Sequence, residues 1–157
     1  MRFFHISDLH FGKLLYGYDL TEEHRNFIEQ LGDYCDKYNP DAVLIAGDVY
    51  DRSVPSADAM TLLDELLNKL SGRKVFIISG NHDNAKRLSF GKDFLKKHDI
   101  YISTVPQTGE NEKIEKVTFA DEYGNVNIYM LPFLKPALFK NSMPEEAAAG
   151  EDAIIKK

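Results

Sequence analysis

The 157-residue chain reads as an α/β protein, a βαβαβ core of parallel strands followed by a β-hairpin. Three observations predict this class. Short apolar runs occur at residues 1–7, 42–46 and 74–79, each ending in polar residues of metal-ligand type. The segments between them carry apolar residues at helical spacing, and short connections in this order build a parallel sheet by crossovers. Beyond Ile100, two further runs flank the turn-forming stretch Asp121-Glu122-Tyr123-Gly124-Asn125, the mark of a hairpin.

Residues 1–7 read as a first strand, apolar enough to be central in a sheet. A loop from Asp8 to Asp19 follows, holding Gly12, Gly17, Tyr16 and Tyr18. Thr21 reads as the N-cap of a first helix to Tyr38, with Glu22 and Glu23 in its first turn and Phe27, Ile28, Leu31, Tyr34, Cys35 and Tyr38 as its apolar face. Asn39-Pro40 ends it. Ala42–Ala46 is the second strand. Ser56 caps a second helix whose stripe is Met60, Leu63, Leu66, Leu67 and Leu70, stopped by Gly72. Lys74–Ser79 is the third strand, and the pattern predicts a third helix over Leu88–His98. Ile100–Val105 reads as a short strand, and Ile114–Ala120 with Val126–Leu131 as the hairpin. Residues 136–157, with an alanine-acidic run and no end signal, form an incomplete helical or disordered tail behind a domain of residues 1–135.

Composition bounds what the chain does. The content is 43% hydrophobic and 28% charged, which is ordinary for a soluble globular domain. No apolar run approaches the ~18 residues of a membrane span, and Asp8 interrupts the short N-terminal run, so no signal peptide is expected. One cysteine, Cys35, excludes an internal disulfide and points to a reducing, cytoplasmic setting. The net charge of −6 supplies no basic footprint for nucleic acid, although bound cations would reverse the local field.

The ends of the three strands carry the chemistry. Ligands bind beyond the carboxyl ends of parallel strands, so Asp8, His10, Asp48, Asn81 and His82 are expected at one edge of one sheet. Aspartate and neutral histidine suit divalent transition metals, and carboxylate-rich sites suit manganese. Two ions held ~3.5–4 Å apart would clamp the attacking and leaving oxygens of a phosphoryl displacement. Each motif alone is weak, since Gly-Asp and Gly-Asn-His-Asp are more often turns. Three at successive strand ends make coincidence a poor explanation. Elsewhere the bland readings prevail: His98 and His24 as exposed helix residues, His5 and Cys35 as packing, Tyr16 and Tyr18 as loop aromatics able to stack on bases, Asp83 as structural.

Asp8-x-His10, Gly47-Asp48-x-x-Asp51 and Gly80-Asn81-His82-Asp83 resemble the first three motifs of the calcineurin-like metallophosphoesterase superfamily. The longer stretches His5–Lys13, Ala46–Pro55 and Ser79–Asp83 with Arg87-Leu88 are similar to its bacterial double-strand-break repair nucleases. The resemblance implies one half of a four-layer sandwich and a manganese-dependent exonuclease and endonuclease acting on DNA with a partner ATPase. It makes Asp8 and His10 ligands of a first ion, Asp48 the bridge and Asn81 a ligand of a second. It makes His82 the catalytic residue at the scissile phosphate and Asp51 the acid orienting it; Arg52 would reach the phosphate. A phosphatase, a cyclic-nucleotide phosphodiesterase and a non-catalytic assembly module are the competing readings.

The later histidines of the family, including a Gly-His-x-His pair, are missing here. The chain therefore reads as the front part of a nuclease domain, with two-metal hydrolysis impaired. A half-domain is also expected to expose a sheet face or edge, and so to form a homodimer or otherwise self-associate.

Overall fold

The computed structural model describes residues 1–105 and 114–134. Four strands, β1 (Phe3–Ile6), β4 (Ala42–Ala46), β5 (Val75–Ile78) and β6 (Ile100–Ser103), pair in parallel in the order β1-β4-β5-β6. The register aligns Ile6, Ile45, Ile77 and Ile102 across the sheet, so all four strands reach the same edge together. Between β1 and β4 lie a two-residue-strand hairpin, β2 (Leu14–Leu15) with β3 (Tyr18–Asp19), and helix α1 (Thr21–Tyr38). Helix α2 (Ala57–Lys69) joins β4 to β5; α3 (Ala85–Leu88) and α4 (Lys92–Lys96) join β5 to β6. The antiparallel hairpin β7 (Lys116–Asp121) and β8 (Gly124–Tyr129) follows.

Strand alternation sends one set of side chains to each face of the sheet. Val43, Ile45, Val75, Ile77, Ile100 and Ile102 meet Ile28, Leu31 and Cys35 of α1 and Ala59, Leu62, Leu63 and Leu66 of α2 in the larger core. Ala42 and Phe76, with Phe3, Leu44, Ile78 and Tyr101 partly buried, meet Val117, Phe119 and Ile128 of the hairpin and Met130 behind it. The sheet is thus covered by helices on one side and by β7-β8 on the other. This mixed α/β architecture, a parallel sheet followed by a β-hairpin, is the predicted fold.

Several expectations are corrected. β1 is an edge strand among the described residues, not a central one. The N-cap position of α1 is Leu20, which brings no capping side chain, and Thr21 is already helical; the Asp19 carboxylate just before it accepts from the Thr21 backbone N–H at 2.8 Å and hydroxyl at 2.6 Å. Tyr34, Tyr38 and Met60 turn toward solvent, and Ala59 and Leu62 take the inward positions of α2. The third helix is two short ones, broken at Gly91, whose φ of +73° is the left-handed conformation that favours glycine. His5 faces solvent and His24 is half-buried, the reverse of the sequence expectation for each. His98 is exposed, Cys35 is fully buried, and Ser56 caps α2 by accepting from Ala59 N–H at 3.2 Å, as predicted. The tail at 136–157 lies outside the described residues. Among the described residues no helix is long and apolar enough to cross a membrane.

Candidate metal centre

Beyond the ends of β1 and β4 the two segments continue side by side. Asp8 N–H donates to the Gly47 carbonyl at 3.1 Å, His10 N–H to that of Asp48 at 2.9 Å and Phe11 N–H to that of Val49 at 2.9 Å; Asp51 N–H returns to the Phe11 carbonyl at 3.1 Å. Along this stretch Leu9 and Phe11 are buried, while Asp8 and His10 sit at φ 56° and 47° and turn out of the core. Asp48 adopts the same left-handed backbone, φ 48°. Non-glycine residues seldom occupy this region, and three residues of metal-ligand type in it at neighbouring strand ends mark a constrained site.

The loop after β5 joins this pair through one carboxylate. Asp83, 1% exposed, accepts from Val49 N–H at 3.2 Å, Tyr50 N–H at 3.0 Å and Gly80 N–H at 2.9 Å. It therefore bolts the Asn81-His82 loop to the Asp48 loop, a structural role. Burial beside that charge pushes the Tyr50 hydroxyl up to about 12. Close approach also demands glycine: a Cβ on Gly80 would collide with the carboxylate and backbone N–H of Asp48, and one on Gly47 would meet Gly80 Cα at 2.9 Å.

These contacts gather side chains around His10. Its Nε2 lies 3.8 Å from Asp8 Oδ1 and 3.9 Å from Asp48 Oδ2, and its Nδ1 lies 3.4 Å from Asp51 Oδ1. The His82 ring stands edge-on to it, with centroids 4.9 Å apart. Asp8, His10 and Asp48 form one cluster of candidate ligand atoms, and His10, Asp51 and His82 a second. Asp48 Oδ1 accepts from His82 N–H at 2.9 Å. His82 Nδ1 is 2.8 Å from the Asp51 backbone carbonyl. The expected Asp51–His82 pair thus runs through the carbonyl, while the Asp51 carboxylate faces His10. The carbonyl raises the His82 pKa above its ordinary value; the charges of Asp48, Asp51 and Asp83 add to this and desolvation opposes it.

Asn81 is exposed and lines a cavity of about 390 Å³ with Asp8, Asp48, Gly80 and the segment 131–134. Arg52, its side chain 73% exposed, lies 3.9 Å from Asp51 Oδ2 and borders a second cavity of about 260 Å³. The Leu131–Leu134 wall is an addition to the residues that the sequence singles out. It is held by Phe133 N–H donating to the Ser79 carbonyl at 2.9 Å, and the sequence signal for it is that the last apolar run of the hairpin leads straight into Pro132.

The residues fit a divalent ion. Donors that each sit ~2.1 Å from one ion lie roughly 3–4 Å apart, the range of the separations around His10 Nε2. Three carboxylates converge on one imidazole, and among the described residues Arg52 is the only Lys or Arg within 4 Å of any of them. His10 Nδ1 is buried with no hydrogen-bond partner among the described residues. The oxygen and imidazole donor set suits manganese, zinc or iron.

A model of the calcineurin-like phosphoesterases matches residues 1–154. The SbcD nuclease component of SbcCD from Staphylococcus epidermidis is 34% identical over 136 residues, covering 85% of this chain and 34% of that protein. The chain thus spans about a third of the length of this curated relative. Three motif-bearing strand ends converging on one ion-sized space, together with a match over nearly the whole sequence, establish that this chain belongs to the calcineurin-like phosphoesterase family.

Proposed function

We propose that this chain is the metal-binding front part of a manganese-dependent DNA nuclease of the SbcD type, hydrolysing phosphodiester bonds in repair and recombination alongside an SbcC-type ATPase. The observation that carries the reading is the convergence of Asp8, His10 and Asp48 on one side of the site and His82 and Asp51 on the other. The nuclease character is supported by the relative and by the stretches around Asp51–Pro55 and Arg87-Leu88.

Asp8, His10 and Asp48 would hold one divalent ion, and Asp48 with Asn81 would contribute to a second. Bound there, the ions supply Lewis-acid polarisation of a phosphoryl oxygen and a more acidic water. His82 presents its ring at the mouth of the site, its raised pKa favouring the protonated form that donates to a leaving oxygen. Asp51 fixes the rotamer of His82 through its carbonyl and faces His10 with its carboxylate. Arg52, on the exposed rim beside Asp51, would reach a phosphate.

The five histidines of the sequence are His5, His10, His24, His82 and His98, and only His10 and His82 stand at the site. With so few imidazole donors, the chain alone is expected to hydrolyse poorly, which is why an assembly role without turnover stays as the second reading. The test compares bis(p-nitrophenyl) phosphate, the corresponding monoester and linear duplex DNA in Mn²⁺. Slow diester and DNA cleavage lost in His82→Ala supports the nuclease reading. Preference for the monoester contradicts it, and rapid DNA turnover contradicts the impairment.

A further inference from the structure

Strand β1 ends the sheet, with β4 on one side and no strand on the other among the described residues. The Arg2 carbonyl accepts from Asp41 N–H at 2.8 Å, and Asp8 N–H donates to the Gly47 carbonyl at 3.1 Å, so the even-numbered residues of this segment turn their backbone groups toward β4. Alternation along a strand then points the N–H and C=O of Phe3, His5 and Ser7 away from the sheet. Neither proline nor lysine, the residues that commonly guard such an edge, stands in Phe3–Ile6. Beside it Phe4, Ile6, Phe27, Leu31 and Tyr34 line an open apolar groove. The segment Arg2–Asp8 is also self-complementary about its middle residue. Turned antiparallel around a twofold axis at His5, it sets Phe4 opposite Ile6 of the second copy, an aromatic and β-branched pair, and does so twice. The same turn sets exposed Arg2 opposite Asp8, whose side chain is 67% exposed. Parallel pairing would instead set Arg2 beside Arg2 and Asp8 beside Asp8. A register centred elsewhere shortens the overlap and separates the opposite charges.

We propose that the outer edge of β1 is a docking surface for a second copy of this chain, paired antiparallel through the backbone of Phe3, His5 and Ser7 about a dyad at His5. The two four-stranded sheets become one continuous sheet, and the two apolar grooves meet across the dyad over Phe4 and Ile6. Because the same patch meets itself, the contact closes at two copies and leaves no edge of β1 to recruit a third. The inference stands on the strand edge and its sequence, and is independent of the metal-site reading.

Cysteine cross-linking reads this register directly. In the proposed pairing the two His5 residues form a hydrogen-bonded pair with Cα atoms about 5.5 Å apart, a span that a disulfide bridges. The two Ser7 residues lie four positions apart along the strands, roughly 13 Å, which a disulfide cannot bridge. His5 and Ser7 are both exposed, so cysteine at either leaves the fold intact, and the native Cys35 is fully buried. With diamide as the oxidant and the protein at micromolar concentration, His5→Cys is expected to link into a covalent dimer at least about tenfold faster than Ser7→Cys. In sedimentation without oxidant the native chain is expected to run as a dimer. His5→Lys places like charges directly opposite each other and is expected to raise the dissociation constant about fivefold. Equal linking of the two cysteine variants would place the contact elsewhere or reduce it to collision, and would overturn the proposal. A native chain that stays monomeric, or a His5→Cys variant that does not link, would overturn it as well.

Discussion

Asp83 shows how one side chain sets the spacing of the site. Its carboxylate accepts three backbone N–H groups from two loops while 1% exposed, and Asp48 adds a single further bond between the same loops through His82 N–H. Replacing Asp83 by alanine leaves buried donors unpaired at about 1–3 kcal/mol each, so Asp83→Ala is expected to cost about 3 kcal/mol or more in urea unfolding. A loss below about 1 kcal/mol, the least that one unpaired donor costs, would contradict that role. His24 gives a pH signature. Burial depresses its folded-state pKa; Glu23 and Asp19 oppose this weakly and His10 adds to it. Because the folded value lies below the unfolded ~6.5, the unfolded chain binds more protons between the two. The stabilisation is therefore complete above about pH 6.5 and is lost as pH falls toward the folded value. Urea midpoints of the native chain should fall more steeply from about pH 7 to about pH 5 than those of His24→Gln; parallel slopes would refute this. The ligand types at Asp8, His10, Asp48 and His82 are legible in the sequence because they are chemically scarce and end apolar runs. The burial of His24 is not, since nothing local reveals that the loop before α1 folds back over its first turn.

Between the residues and the sheet, the secondary elements decide where strands end. The helices α1 and α2 are readable from their 3.6-residue period, and the strands from runs of β-branched residues bounded by polar ones. The pattern misleads where that period is weak. α3 and α4 are four and five residues long, too short to establish a stripe, and β2-β3 has two residues per strand, too few to alternate. Met60 and Leu62 show the remaining ambiguity, because a helix with many leucines offers more than one plausible face. Ser56 and Leu66 set the scale of what α2 contributes. Loss of the cap in Ser56→Ala is expected to cost about 1 kcal/mol, and truncation of fully buried Leu66 in Leu66→Ala about 3 kcal/mol. The two positions lie nearly three turns apart along one helix, so their effects should add within about 0.5 kcal/mol. Denaturant unfolding of the single and double variants checks both values; equal costs would mean that the cap rather than the core anchors α2.

At the scale of the molecule, one face of the sheet is closed by α1 and α2 and the other by β7-β8, but β1 carries no neighbour on its outer side among the described residues. Phe3, Phe4, Ile6, Phe27, Leu31 and Tyr34 line an open groove of about 430 Å³ beside it. An unpaired edge next to apolar surface favours association, which is the basis for the self-association expected from the sequence: sedimentation at micromolar concentration should show a species larger than the monomer, and a monomer throughout would contradict it. Which strand lies at the edge is not legible in the sequence, because a strand's apolarity reports burial of its faces and not pairing of both its edges. The central claim, that three strand-end loops create a divalent-metal site, is tested most directly by Mn²⁺ calorimetry on this chain with Asp48→Ala beside it. Saturable Mn²⁺ binding that disappears in Asp48→Ala is the predicted result. No binding, or binding that Asp48→Ala leaves unchanged, would contradict it.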